Sequence, residues 1–355
     1  MRILVTGGAG FIGSHVVEEL VAARHEVVVV DSLHPAAHHA PPVGLIADVE
    51  YHWIDLSDVA TLVEVLDGVD AVSHQAAMVG MGLDFRDIVA YTQANDVGTA
   101  SLLRAMHDVG FVGRLVLASS MVIYGEGAYS CPRHGAVVPE PRDTARLEQG
   151  EWEPVCPGCG AALTCHPVLE SARPDPRSVY AATKLQQEHL CAVFGRDHDV
   201  PVVALRYHNV YGPMMPRDTP YAGVASIFRS ALEGGRSPQV YEDGGQRRDF
   251  VHVRDVARAN RLALESSSSW RGPLNVASGR PRTVLDLAAE LCTAFGADTV
   301  PEVVPRFRVG DVRHVFASAD AAERELGFRA EVPFADGVRE FATAPMRDAR
   351  AAAAK

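Results

Sequence analysis

The sequence predicts a doubly wound α/β fold with a mostly parallel sheet, a smaller C-terminal domain and a cysteine-rich insert. Three observations carry this. Short apolar runs alternate with amphipathic stretches as far as Tyr207, and a glycine triplet joins the first run to the first amphipathic stretch. The alternation breaks once, over residues 125–178, in a segment rich in Pro, Gly, charge and Cys. Strands alternating with helices form parallel sheets covered on both faces.

Taken in order, Arg2–Gly7, His25–Asp31, Asp70–Ala77, Gly113–Ser120 and Pro201–Tyr207 are crowded with Val, Leu and Ala and show no polar alternation. They are expected to be buried parallel strands. Ser14–Ala23 and Gly98–Gly110 space their apolar residues as helices do. Beyond Tyr207 the pattern is less regular, with helices expected over Ala225–Gly235 and Thr283–Gly296. This divides the chain into a first domain over 1–206 containing the insert 125–178, a second over 207–345, and a tail over 346–355.

Composition excludes several classes of function. The 355 residues are 47% hydrophobic and carry a formal charge of -12. Nucleic-acid binding needs clustered Lys and Arg, so no such partner is expected. The apolar N-terminal run lacks the flanks of a signal peptide, and no stretch approaches the roughly 18 apolar residues of a membrane span. Six cysteines are too few for a disulfide scaffold in a chain this long. A cytoplasmic protein without a membrane partner is expected.

Gly7, Gly10 and Gly13 in "TGGAGFIG" sit where the first strand turns into the first helix. Glycines there permit a tight turn, close approach of a pyrophosphate and close helix–strand packing. Asp31 ends the second strand, at the distance from which a carboxylate accepts hydrogen bonds from an adenosine ribose and repels a 2′-phosphate. The pattern points to NAD rather than NADP.

The three-residue glycine spacing resembles that of the short-chain dehydrogenase/reductase superfamily, a Rossmann-fold group, over Met1 to about Phe341. The resemblance implies a cofactor site of Gly7, Gly10, Phe11, Ile12, Gly13, Asp31, Asp55, Leu56, Ala76, Asn95, Tyr180 and Lys184. Asp55 and Leu56 would meet the adenine, whereas His74 is expected to be structural.

In "SVYAATKLQQEHL", Tyr180 and Lys184 lie four residues apart, so they share one helix face. A free tyrosine has a pKa of about 10 and needs help to act as a base near neutrality. An adjacent ammonium and a nicotinamide cation both favour the phenolate. The superfamily pattern adds Ser120 in "LASSMVIYG", not its neighbour Ser119, as the hydroxyl that binds the substrate oxygen. Tyr180 would take the proton of a sugar hydroxyl while the carbon gives hydride to NAD.

In the second half, "RYHNVYGP", "GQRRDFVHVRDVA", "LNVASG" and "RVGDVRH" resemble motifs of the extended, nucleotide-sugar epimerase/dehydratase branch. That resemblance makes Asn209, Arg248 and Arg308, with Ser120, the substrate-binding residues. Arginine suits a diphosphate because it presents charge with forked donors. The alternative for Arg248 and Arg308 is a surface ion pair with Asp249 or Asp311. Met121 and Val122 stand where hexose 4,6-dehydratases of the family carry an Asp–Glu pair, and neither can move a proton. Epimerisation needs only the Ser–Tyr–Lys group, a retained NAD and room for a ketose to turn. "SSMVIYGEG", "WEPVC", "TPYAGV" and "RRDFV" resemble stretches of family members that epimerise C4 of dTDP-6-deoxyhexoses such as dTDP-L-rhamnose. A UDP-hexose or uronic-acid 4-epimerase, a dehydratase or decarboxylase, and a non-catalytic NAD-binding protein are the alternatives. The family implies a homodimer.

The insert has its own signature. Cys131 and His134 form a C-x2-H knuckle, Cys156 and Cys159 a C-x2-C knuckle. Tight turns with these spacings present two ligands to one ion, and four such ligands close a structural zinc site. Cys165 and His166 are possible substitutes. A metal would order a segment too polar to order itself.

Overall fold

The computed structural model describes residues 1–35, 37–38, 42, 44–80, 85–217, 223–296 and 299–347. Thr219–Ala222 of "TPYAGV" and the tail from residue 348 lie outside them.

The chain begins β1 (Arg2–Thr6), α1 (Phe11–Ala22), β2 (Glu26–Val30), β3 (Glu50–His52), α2 (Val59–Val65) and β4 (Ala71–His74). A short α3 (Ile88–Tyr91) runs through a π-turn at Thr92–Val97 into α4 (Gly98–Asp108), and β5 (Arg114–Ser120) follows. The insert contributes β6 (Ala128–Cys131), β7 (Gly135–Val137), α5 (Thr144–Glu148) and β8 (Thr164–His166). Next come α6 (Val179–Asp197), β9 (Val202–Tyr207), β10 (Asn209–Tyr211), α7 (Val224–Glu233), β11 (Gln239–Tyr241), β12 (Arg247–Arg248) and β13 (Phe250–His252). The described chain closes with α8 (Val253–Glu265), β14 (Gly272–Val276), β15 (Arg282–Thr283), α9 (Val284–Phe295), β16 (Glu302–Val304), β17 (His314–Val315), α10 (Asp320–Leu326) and α11 (Phe334–Thr343).

Seven strands form one parallel sheet in the order β14-β9-β5-β4-β1-β2-β3. Successive side chains of a strand point to opposite faces, and the core divides accordingly. Ile3 and Val5 of β1 join a cluster with residues of α1 and α8, whereas Leu4 joins one with residues of α2, α4 and α6. Burial on both faces is why these strands are apolar throughout. The strand order reverses between β1 and β4, and crevices at such points, at the carboxyl ends of the strands, hold ligands.

The boundary expected at 206 needs correction. After β9 the chain leaves the sheet but re-enters it, because β14 pairs with β9 and α8 packs against α1. The smaller unit is therefore interleaved with the large one. It has its own core, which includes Tyr211, Phe228, Phe250, Leu287, Leu291 and Phe341. There α9 starts from a capping box formed by Thr283 and Asp286 and stops at left-handed Gly296. The sequence pattern counts Thr283 and Gly296 into the helix, whereas they cap it. In the insert, β6 pairs antiparallel with β7 and β8. No described helix is long and apolar enough to cross a membrane.

Candidate active site

The glycine turn at the end of β1 is shaped for a group that comes close to the backbone. Gly7 has a φ of +68°, and a Cβ there would meet Ala76 N at 2.7 Å. A Cβ on Gly13 would stand 2.0 Å from the Gly7 carbonyl oxygen. Gly10 caps α1 with no side chain, leaving the first N–H groups of that helix facing the cradle beside Phe11 and Ile12. Asp31 is buried at the end of β2, where Oδ2 accepts from Ala9 N at 3.1 Å and Oδ1 from Leu33 N at 2.9 Å. These residues fit a dinucleotide: helix N–H groups for the diphosphate and a carboxylate for the ribose.

The remaining cofactor candidates divide. Ala76 donates its N–H to Thr6 Oγ1 and lies against Gly7. Asp55 is exposed and caps Ser57 N at 2.8 Å, whereas Leu56 is buried in the core. Asn95 is fully buried. Its Oδ1 accepts from Met78 N at 2.7 Å, and its Nδ2 donates to Met78 O and Thr183 Oγ1. These bonds tie the loop after β4 to α6. His74 lies between Thr6 Oγ1 at 2.7 Å and Thr99 Oγ1 at 2.8 Å, and burial, with the Lys184 charge adding to it, drives its pKa to about 3. It stays neutral and structural.

The structure brings Ser120, Tyr180 and Lys184 together. Ser120 ends β5, and Ser178 caps α6 by accepting from Ala181 N at 3.1 Å, which sets Tyr180 in the first helical turn. Burial raises the Tyr180 pKa to about 12, opposed by a hydrogen bond from Ser120. Lys184 is also buried, and desolvation lowers its pKa to about 8, against the charges of Cys191, Glu188 and Asp96. Its Nζ donates to Ala118 O at 2.8 Å. Among the causes that set the Tyr180 pKa the Ser120 hydrogen bond opposes burial and the expected ammonium does not figure, so burial keeps the phenol neutral at pH 7. Ser119 turns the other way and donates to Glu188, which pairs with Arg206 through both oxygens at 2.9 and 2.8 Å.

A cavity of about 900 Å³ runs from Met121, Val122 and Ser178 to Arg308. Asn209 and Arg248 line it too, and Asn209 Oδ1 is buried without a partner. Arg248 does not pair with Asp249. Its guanidinium donates to the carbonyls of Val312 at 2.7 Å and Arg313 at 2.9 Å, while Asp249 accepts from Ser278 and Gly279. Arg308 lies over the Tyr241 ring at 5.7 Å and forms no ion pair with Asp311 among the described residues. Arg177, Arg236, Arg248 and Arg308, with the orphaned Asn209 acceptor, line one cavity that can hold a phosphorylated polar ligand, although Glu242, Glu302 and Asp311 also line it.

Sequence reasoning missed Arg347. Its Nη2 donates to Gly10 O at 3.1 Å, and its guanidinium, whose pKa burial lowers, also feels the Asp31 charge. Backbone bonds between Met215, Arg217 and Arg347 pin it there. No local motif announces a contact between residues so far apart in sequence.

In the insert, the ligand atoms of Cys131, His134, Cys156 and Cys159 all lie within 4.8 Å of one another. Cys131 and Cys159 sulfurs are 3.7 Å apart, Cys131 Sγ and His134 Nδ1 3.7 Å, and His134 Nδ1 and Cys156 Sγ 3.1 Å. Zinc–sulfur bonds of about 2.3 Å in a tetrahedron separate two sulfurs by about 3.8 Å. The substitutes fall elsewhere: Cys165 faces Arg247 and His166 bonds Ser130.

A parallel sheet that delivers a phenol, an ammonium and a hydroxyl to one end of a glycine-lined cradle is the arrangement of the short-chain dehydrogenases and reductases. The model of the NAD dependent epimerase/dehydratase family matches residues 3–145 and 160–277, and the chain belongs to that family. The unmatched stretch contains Cys156 and Cys159. The chain is 34% identical to a dTDP-L-rhamnose 4-epimerase of Burkholderia thailandensis, over 96% of this chain and 94% of that one. It resembles the crystal structure of Thermus thermophilus UDP-glucose 4-epimerase with NAD at a TM-score of 0.76 and 33% identity, covering 96% of this chain and 98% of that one. The Thermotoga maritima UDP-glucose 4-epimerase with UDP-glucose gives 0.78 and 29%, covering 96% and 97%. The protein is an NAD-dependent enzyme of the epimerase type.

Proposed function

We propose that the enzyme inverts C4 of a nucleotide sugar, a dTDP-6-deoxyhexose, by transient oxidation to a 4-ketose. The observation that carries this reading is the cavity that runs from Met121, Val122 and Ser178, sequence neighbours of Ser120 and Tyr180, to Arg248 and Arg308, with only Met121 and Val122 where proton-transferring side chains would be needed to expel water. Tyr180 takes the proton of the C4 hydroxyl and returns it, Ser120 holds that oxygen, and Lys184 ties α6 to β5 and the cofactor ribose. NAD, when bound, accepts the hydride and brings the positive charge that favours the Tyr180 phenolate. Gly7, Gly10, Gly13 and Asp31 would hold it. Asn209, Arg248 and Arg308 hold the diphosphate and nucleotide, and the cavity leaves room for the ketose to turn between the two hydride transfers.

The similarity to dTDP-L-rhamnose 4-epimerase supports the deoxyhexose, and the similarity to UDP-glucose 4-epimerases supports UDP-hexoses as the second reading. Thermal protection by a panel of dTDP- and UDP-sugars decides between them: dTDP-sugars should raise the melting temperature most, and protection by UDP-sugars alone would select the second reading.

In the same proposal, Cys131, His134, Cys156 and Cys159 hold a structural zinc ion, and the free thiols suit a reducing, cytoplasmic setting. A homodimer would cover the exposed Val97 and Val193 beside α4 and on α6.

A further inference from the structure

Residues 307–316 carry Arg308 and supply the carbonyls that fix Arg248, yet contain little regular structure of their own. β12 pairs with His314–Val315 and Glu242 and Asp243 bind the Arg313 guanidinium, and the insert supplies further ties. Glu126 is buried and accepts from Arg313 N at 2.8 Å. Arg142 donates to the Asp311 carbonyl oxygen at 2.7 and 3.0 Å and pairs with buried Glu242 at 2.8 Å. Glu153 bonds the Arg313 guanidinium at 2.8 Å and His314 Nε2 at 2.9 Å. The Trp152 ring packs on Phe307 at 6.3 Å, beside Arg308, and Val168 N donates to Phe316 O at 2.8 Å.

Buried charges are stable only where partners are held in place, so this clamp depends on the insert keeping its shape. The insert is poorly equipped to do so with its own core, whose buried apolar side chains include Tyr129, Leu147 and Val168. Tyr129 lies two residues before Cys131, and Glu153 three before Cys156. The four-ligand cluster joins the two flanks that do the clamping.

We propose that a zinc ion bound by Cys131, His134, Cys156 and Cys159 positions the nucleotide-binding wall of the cavity, by holding the insert in the shape that clamps residues 307–316. The proposal rests on the reading of Arg248 and Arg308 as nucleotide ligands. The metal acts at a distance from the hydride and proton transfers and takes no part in them. It sets affinity for the nucleotide, and the glycine cradle is independent of it.

The test compares wild-type protein purified without added zinc with a Cys156→Ser/Cys159→Ser variant and with Glu153→Gln, which leaves the metal ligands intact. Metal analysis should give close to one zinc per wild-type chain and none in the double variant. Hydrogen exchange of 307–316 should accelerate about tenfold or more in the double variant, with β1, β4 and β5 unchanged. Affinity for dTDP or UDP should fall about tenfold or more in both variants, with retained NAD unaltered. Glu153→Gln should keep its zinc, so it reports on the clamp even if the double variant fails to fold. Zinc-free wild-type protein, unchanged exchange at 307–316 in a folded zinc-free variant, or unchanged nucleotide affinity in Glu153→Gln would each overturn the proposal. If zinc loss loosens 307–316 but wild-type protein binds neither dTDP nor UDP, the clamp is supported and the nucleotide reading of the cavity fails.

Discussion

Lys184 donates to the carbonyl oxygen of Ala118 at 2.8 Å, which ties α6 to the strand that ends in Ser120. The ammonium therefore holds the two elements of the site in register. A helix residue and a strand residue that meet in this way fix where Tyr180 stands.

Replacing Tyr180 by Phe removes the proton acceptor and little else. The rate constant kcat should fall about 10²–10⁴-fold while NAD and nucleotide binding persist. Ser120→Ala should also lower kcat, whereas Ser119→Ala should cost stability through Glu188 and Arg206. Kinetics with melting curves separate the two serines, and near-normal turnover in Tyr180→Phe would remove that residue from its role.

Asp31→Asn keeps an acceptor for Ala9 N but loses the charge. NAD affinity should fall about tenfold and discrimination against NADP should relax, since charge-assisted hydrogen bonds exceed neutral ones by roughly a kcal/mol. Cofactor titrations check this. An unchanged NAD/NADP ratio would refute the assignment.

Arg308→Ala should weaken dTDP or UDP binding about 10–100-fold with retained NAD unchanged, because a forked cation on a diphosphate is lost. Arg308 is preferable to Arg248 for this measurement, since Arg248 also braces residues 312 and 313.

Acid should destabilise the protein between about pH 6.5 and 4. Burial holds His74 and His208 at about 3 and His252 at about 4, each below its unfolded value. The unfolded chain then binds more protons across that window, so stability is lost as pH falls. Asp249 and Asp96, raised to about 6 by burial, and Glu126, also raised by burial, oppose this, whereas Glu153, held at about 2 against burial by His314 and Arg313, adds to the loss toward the acid end. Melting temperatures across that range should decline, and a rise would contradict the balance.

The sequence made the buried strands legible because parallel strands covered on both faces are apolar throughout, as in β1, β2 and β5. It hid β3, three residues at the sheet edge reading Glu-Tyr-His, and β14, whose "LNVASG" end, with buried Asn275, carries a family motif and no strand expectation. The cluster of Cys131, His134, Cys156 and Cys159 was visible because ligand spacing is local. The clamp of Glu126, Arg142 and Glu153 on residues 307–316 was not, since ion pairs across such separations leave no local pattern. Arg347 stayed hidden for the same reason, and the burial of Asn95 could not be read from its motif.

The central claim is inversion at C4 by a retained cofactor. Purified enzyme incubated with dTDP-6-deoxyhexoses and UDP-hexoses, with no reductant added, is followed by proton NMR together with the absorbance of reduced cofactor. The account predicts a C4 epimer approaching equilibrium from either side, no net NADH, and no loss of water or carbon dioxide. A product that forms only with stoichiometric NADPH, or one that has lost water or carbon dioxide, would contradict it.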